Sequence, residues 1–390
     1  MDLERKLTAA DLKNWRMIDQ FLEVLTPVVS KARMHPTFED PRRTLQYAPY
    51  LSLFLFGLFN PVVQSMRSLC AISELEKVQR VTGCNQVSLG SFSEAQAVLD
   101  PDLLKQVFEQ LIEQMPMSST VDARFKHLDL LVQDGSLWRA LPRMAWAEYG
   151  VGPKGEAKGV RLHLRFNVLK DCPGDALLTV GHGAETIALR EMLLPGQTSV
   201  GDRHYGKDYR LFREIDEAGA FFVFRMSEQA VVHVEQELPL SDAEKKAGVL
   251  RHAWVHLGAT EKLRSIRLRL IEVDSRGQRL LLITNHSVET VSAELASLIY
   301  RRRWSIELFF RWIKCILGTR HFFAESREGV AIQMYLALIA ALMLQMLTGA
   351  RPNKRSMESL HFYLSGWASA EEAVRLIVKY SAKAKPASRS

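Results

Sequence analysis

"HLDLLVQDGSLW", His127–Trp138, is where the chain changes character. Before it, out to about residue 120, apolar residues recur at helical spacing. The runs lie around Tyr50–Phe59, Pro61–Gln79, Ser91–Leu99 and Asp102–Gln114, and "TGCNQ" and "LGS" punctuate them. From Lys126 the texture is that of strands. The quoted run ends in Asp134-Gly135, where the backbone is free to turn away. "VRLHLRFNVL" (Val160–Leu169) alternates apolar and polar residues, as a strand with one wet face does. "DALLTVGHG" is a third strand, "AETIALREML" a helix, "TSVGDRHYG" a short strand ending at Asp202, "DYRLFREIDEAG" a helix with a glycine end, and "AFFVFRM" a fifth strand. Three strands, helix, strand, helix, strand predicts a mixed α/β sheet: three antiparallel strands, then parallel crossovers.

Ser227 to about His286 is β again, with "AVVHVEQELPL", "LRHAWVHLG", "RSIRLRLIEVD" and "QRLLLITN" as four strands. A long helical stretch begins near Val288, so this block reads as a subdomain inserted between sheet and final helices. The expected layout is a helical N-terminal domain over 1–120, a core over 121–226, a β-rich insertion over 227–287, the rest of the core over 288–350, and a C-terminal helical region with a basic tail over 351–390. Thr8 and Asp11 have capping-box spacing at the first helix. The N-terminal helices fit either a DNA-binding helix-turn-helix or a plain bundle.

With 390 residues, 47% hydrophobic and 24% charged, the chain can bury a large core in two or three domains. A net charge of +7 favours a polyanionic partner such as nucleic acid. Cys70, Cys84, Cys172 and Cys315 have no paired spacing, which argues against a zinc site or a disulfide framework and fits a reducing cytoplasm. "MDLERKLTAADLKNW" is no secretory signal. "YLSLFLFGLFNPVV" is too short to span a membrane, and Asn60-Pro61 breaks it. "VAIQMYLALIAALMLQMLTG" (Val330–Gly349) approaches spanning length but carries two glutamines, and reads as a buried core helix.

"YRRRWSIELFFRWIKCILG" (Tyr300–Gly318) holds one glutamate among four arginines and a lysine, and reads as one helix stopped by Gly318. At about 100° per residue, Tyr300, Arg303, Glu307, Arg311 and Lys314 share a sector of roughly 80°. Ile306, Phe309, Phe310, Ile313, Ile316 and Leu317 fill the apolar side. Taken alone, Glu307 pairs with Arg303 and Arg311 at i±4, an arrangement worth about 0.2–0.5 kcal/mol per pair. Asp134 and Asp202 give it company. If the first and fourth strands are neighbours, both aspartates leave the same edge of the sheet, and Glu307 arrives from a helix packed across it. Three converging carboxylates repel one another unless cations lie between them. Two Mg²⁺ ions about 4 Å apart would relieve that repulsion and support an in-line displacement at phosphorus. Arg303, Arg311 and Lys314 would meet phosphates, with Tyr300 stacking or hydrogen-bonding at the backbone. Each aspartate alone is explained by a turn or a cap. Asp208 reads as the N-cap of the following helix and Glu214 lies mid-helix, which favours Asp202. His163 and His204 could tune the site, but each reads first as a solvated histidine.

Tyr300, Arg303, Glu307 and Lys314 stand at the spacing Y, two residues, R, three residues, E, six residues, K. This resembles the signature of bacterial insertion-sequence DDE transposases of the IS-four group. "QDGS" around Asp134 and "VGDRHYGKDYRLF" around Asp202 are similar to that group's first and second aspartate motifs, and the β block resembles its insertion domain. The likeness runs from about Lys126 to Gly349. It implies an RNase H-like core, with Asp134, Asp202 and Glu307 as ligands of two Mg²⁺ ions (Mn²⁺ substituting). Tyr300, Arg303 and Lys314 would hold the transferred end. It further implies cleavage at the element's terminal inverted repeats and joining to target DNA, a homodimer in the synaptic complex, and a place in the bacterial cytoplasm at the nucleoid rather than in a membrane. In some relatives a tryptophan of the insertion domain stacks near an extruded base. Trp254 is the tryptophan of this block, and a strand core position also explains it. Two other readings stay open: a two-metal nuclease that cuts without joining, and a non-catalytic DNA-binding regulator.

Overall fold

The computed structural model describes residues 7–32, 45–152, 155–181, 183–259, 266–275, 277–315 and 321–382. Gly318, the residues beside it at 316–317, the first six residues and the tail from 383 lie outside the described residues. The chain divides into two compact units, one of residues 1–116, 137–160 and 309–390, the other of 117–136 and 161–308.

The first unit is largely helical. Thr8 and Asp11 form the expected reciprocal cap, with the Asp11 carboxylate accepting the Thr8 N–H at 2.8 Å. The Pro61–Gln79 run is two helices, Met66–Ile72 and Glu76–Thr82, because Ser65 and Ser68 cap the first and the chain turns at Ser73. Helix Arg327–Thr348 is the apolar stretch that approaches membrane-spanning length. Its most apolar window is 94% buried inside the protein, against helices Tyr47–Phe59 and Pro101–Gln114. A buried amide needs partners. Gln333 finds them: its Nε2 donates to the His321 carbonyl at 3.0 Å, and its Oε1 accepts the Phe323 N–H at 2.8 Å.

The strands are β1 (Asp129–Arg139), β2 (Glu148–Gly152), β3 (Gly155–Asn167), β4 (Cys172–Val180), β5 (Gln197–Gly206), β6 (Phe221–Met226), β7 (Val232–Glu237), β8 (Val249–Leu257), β9 (Leu268–Ser275) and β10 (Gln278–Thr284). β2, which sequence reading did not foresee, makes a hairpin with the first residues of β3, Glu148 opposite Lys158, within the first unit. In the second unit the neighbour order is β4, β3, β1, β5, β6, then β10, β9, β8, β7. β1 runs parallel to β5, and β5 parallel to β6. β3 and β4 lie on one side of the parallel β1–β5 pair and β6 on the other, which is the order of an RNase H-like sheet. β10 lies antiparallel on β6, and the block from β7 to β10 is an antiparallel meander that continues the same sheet.

Helix Tyr209–Glu217 joins β5 to β6 and presses Leu211, Phe212 and Ile215 onto it. The Phe212 and Phe222 rings stack at 4.8 Å. At its end β5 lies close against β6. A Cβ at Gly206 would sit 2.0 Å from the Arg225 carbonyl oxygen, a backbone atom that cannot step aside. Gly206→Ala is therefore expected to destabilise the fold by about 1–3 kcal/mol, the range for overpacking, read as a lowered denaturant midpoint at unchanged slope.

The stretch Tyr300–Gly318 is not one helix. Helix Ala293–Arg301 ends, Arg302 and Arg303 make a turn in which the Arg303 N–H donates to the Tyr300 carbonyl at 3.0 Å, and a second helix begins at Trp304 and runs to Cys315. On that second helix Ile306, Phe309, Phe310 and Ile313 are buried as the periodicity predicts. Tyr300, placed by helical spacing on the basic face, is buried instead.

Candidate active site

Asp134 and Asp202 come together through strand pairing. The β1–β5 ladder ends with Val132 opposite Val200. Each aspartate lies two residues further on, and so on the face of its strand that those valines share. The sequence reading places each aspartate at the end of its strand, but the backbone stays extended past both, to Arg139 and Gly206. It is the ladder that ends ahead of them. β5 also breaks register with β6 between Gly201 and Gly206. The carboxylates thus stand where the sheet opens. Asp134 accepts the Gly135 N–H at 2.8 Å, and Asp202 accepts the His204 N–H at 2.7 Å.

Burial lifts the Asp134 carboxyl most, and the negative charges of Glu185 and Asp202 lift it further. Against the pull of the Gly135 N–H and of Arg303, it is pushed up to about 7. Glu185 was not singled out from the sequence. It opens helix Glu185–Glu191, where an acidic residue is explained by the helix dipole alone. In the fold Arg161 clamps it at 2.5 Å while donating from Nε to the Gly181 carbonyl at 3.2 Å. Its carboxylate lies on the backbone at Gly135: a Cβ there would meet Glu185 Oε1 at 2.8 Å. Burial raises the Glu185 carboxyl too, Arg161 and His204 pull it down, and Asp202 adds to the rise.

Glu307 is held by Arg303, one turn earlier, whose Nη1 donates to its Oε1. Arg303 is also among the charges that Asp134 feels, and its guanidinium lies 6.0 Å from the Tyr300 ring and 5.5 Å from the ring of Trp304. Burial raises the Tyr300 hydroxyl, with Arg303 and Arg225 opposing and Asp202 adding. The structure therefore gathers Asp134, Asp202, Glu185, Arg303 and Tyr300, with Glu307 one link away through Arg303. Among the described residues no three His, Cys, Asp or Glu side chains stand in position to hold one ion. The donor set nonetheless suits a hard divalent cation. It is made of carboxylate oxygens, and the crowding that lifts Asp134 is what a cation would relieve.

Arg311 and Lys314 belong to the first unit. Arg311 is exposed. Lys314 donates to the Leu137 carbonyl at 2.8 Å and lies 4.3 Å over the Trp138 ring. Asp208 caps its helix as expected, and Arg190 binds both it and Glu214, at 3.0 and 2.5 Å. His204 is exposed. His163, expected in solvent, is buried instead, its Nε2 2.9 Å from the Thr179 hydroxyl, because its side of β3 is covered. Trp254 is neither core nor bare. It lies half-buried on β8 with the Arg267 guanidinium 4.3 Å above its ring, a cation–π pair.

The sequence model of the family described as "Transposase DDE domain" matches residues 126–343. A protein named as transposase for insertion sequence element IS5377, from Geobacillus stearothermophilus, is 27% identical over 263 residues, 67% of each chain. A transposase named y4zB, from Sinorhizobium fredii, is 31% identical over 216 residues, 53% of this chain and 58% of that one. A solved structure of a piggyBac transposase synaptic complex with hairpin DNA aligns with a TM-score of 0.41 and 10% identity, over 98% of this chain and 82% of that one.

Proposed function

Because this chain belongs to the DDE transposase family, whose enzymes cut and join DNA, we propose that it cuts at the terminal inverted repeats of an insertion sequence and joins the freed ends to target DNA. In this reading Asp134, Asp202 and Glu307 hold two Mg²⁺ ions, which Mn²⁺ can replace. The observation that carries it is the pairing of β1 with β5, which sets Asp134 and Asp202 side by side just past the end of their ladder. Two such ions, when bound, supply an activated water and neutralise the charge of an in-line displacement at phosphorus.

The rest is done by the chain. Asp134, buried among negative charges, gains most from a cation beside it. Arg303 keeps Glu307 paired, and a phosphate brought to the site competes for that guanidinium through a two-pronged hydrogen bond. Tyr300, Arg303, Arg311 and Lys314 line the path of the DNA backbone. Residues 121–226 and 288–350 act as the catalytic core, 227–287 as the insertion, and the helices of 1–120 add DNA contacts. Two copies join in the synaptic complex, on DNA at the nucleoid of the bacterial cytoplasm.

The test is a strand-transfer assay with a pre-cleaved element end, target plasmid and Mg²⁺. Joined product is expected. Cutting without joining would make the chain a nuclease, and binding without either would make it a regulator. Arg311 gives a finer check, because exposed arginines that meet phosphate release counterions. Arg311→Ala is expected to lower the slope of log K against log salt for end-binding by about one unit, with little change in thermal midpoint. An unchanged slope would remove Arg311 from the interface.

A further inference from the structure

Arg269 on β9 is fully buried, and among the described residues no carboxylate pairs with it. Burying a guanidinium is costly unless its donors are satisfied. Here backbone carbonyls take up Nη1 and the His252 ring takes up Nε, while Nη2 stays buried without a partner among the described residues. Nη1 donates to the carbonyls of His286 at 3.1 Å, Ser287 at 2.8 Å and Val291 at 2.6 Å, while Nε donates to His252 Nε2 at 3.0 Å. Those carbonyls belong to one turn, between β10 and helix Ala293–Arg301.

The same turn is held from two other sides. Glu244, on the short helix Asp242–Lys246, accepts the Ala293 N–H at 3.1 Å, so it binds one of the free amides at the start of helix Ala293–Arg301. His286 Nε2 lies 3.0 Å from the Thr198 hydroxyl, on β5 four residues before Asp202, and its ring stacks on Phe221 at 4.4 Å. The helix that starts here carries Tyr300 in its last turn and ends at Arg301, and the Arg302–Arg303 turn leads straight into the helix that carries Glu307.

We propose that Arg269 is a positioning residue for the active site. From the β block it clamps the 286–291 turn and so fixes where Tyr300, Arg303 and Glu307 stand relative to Asp202. The proposal rests on the catalytic reading of Glu307, and it gives the β7–β10 block a task in the chemistry beyond extending the sheet.

Hydrogen exchange and cleavage kinetics on the full-length chain test it with Arg269→Met and Arg269→Lys. In Arg269→Met, amides of Ala293–Ile299 should exchange about tenfold faster or more, as expected when charge-assisted bonds that hold a helix start are lost. The kcat for Mg²⁺-dependent cleavage of an element end should fall by about tenfold or more while KM for the DNA stays within a few-fold, since only the placement of reacting groups has changed. Arg269→Lys, which keeps the charge but cannot reach three carbonyls and His252 together, should fall between. Wild-type exchange over 293–299, or exchange that speeds up equally through β8, β9 and β10, would overturn the proposal and leave Arg269 a general stabiliser. If Arg269→Met does not fold, Glu244→Ala removes the Ala293 contact together with the Ser241 cap of helix Asp242–Lys246, and the same rise in exchange over 293–299 is expected. Its absence would overturn the proposal too. A wild-type chain that cleaves nothing would refute the catalytic reading, and the exchange result would still decide whether the clamp exists.

Discussion

Asp134→Ala, Asp202→Ala and Glu307→Ala are each expected to lower Mg²⁺-dependent cleavage of an element end by about 10²–10³ or more, the loss typical of a group that stabilises transition-state charge directly. End-binding should stay near wild type, because these side chains are negative and work on cations rather than on phosphate. Asp208→Ala is the control. It removes an N-cap and one partner of Arg190, so it should cost about 1 kcal/mol of stability and leave cleavage in place. Cleavage lost in Asp208→Ala and kept in Asp202→Ala would exchange the two assignments. Glu185→Ala discriminates further. If Glu307 is the third ligand, Glu185→Ala should weaken cleavage less than Glu307→Ala does.

The second large effect is on stability and concerns the metal-free protein. The Asp134 carboxyl rises from 3.8 to about 7 in the fold, so between those values the folded state holds a proton that the unfolded state has released. Stability then falls as pH rises through that window, and the full loss is reached above about pH 7. A shift of this size corresponds to an upper bound of about 4 kcal/mol. Asp134→Asn, which stays neutral, is expected to flatten this pH dependence and to be more stable than wild type at pH 8 without metal. Added Mg²⁺ should raise the wild-type midpoint more at pH 8 than at pH 5, and raise the Asp134→Asn midpoint little at either. Thermal unfolding of both proteins at the two pH values, with and without Mg²⁺, measures it. A wild-type midpoint that rises from pH 5 to pH 8 by more than that of Asp134→Asn would contradict it.

Much of the sheet could be read from the chain, because alternation and glycine ends mark strands whatever they pack against. β1, β3, β4, β5 and β6 and the four strands after Ser227 lie close to where periodicity puts them. β2 could not be read, since "EYGVG" lacks an alternating apolar pattern. The break at Arg302 and Arg303 left no mark either. No proline or glycine stands there, and the turn is set by what the two helices pack against, with Arg302 lying 5.4 Å from the Phe125 ring. Asp134 and Asp202 could be singled out from the sequence because each stands late in a strand-like run and is followed by polar residues. Glu185 was not, since its meaning depends on Arg161 and Gly135, residues 24 and 50 positions away that only the fold brings to it. His163 shows the converse error: an alternating strand puts its polar residues in water only if nothing covers that face, and here something does.

The most direct measurement is a crystal structure of the chain with an element-end duplex and Mn²⁺, read at the manganese anomalous signal. The expected result is two peaks about 3.5–4 Å apart, Asp134 touching both, Asp202 and Glu307 each on one, and Arg303 turned from Glu307 to a phosphate. Manganese held by Asp134, Asp202 and Glu185 with Glu307 still on Arg303, or no manganese at these carboxylates, would contradict it.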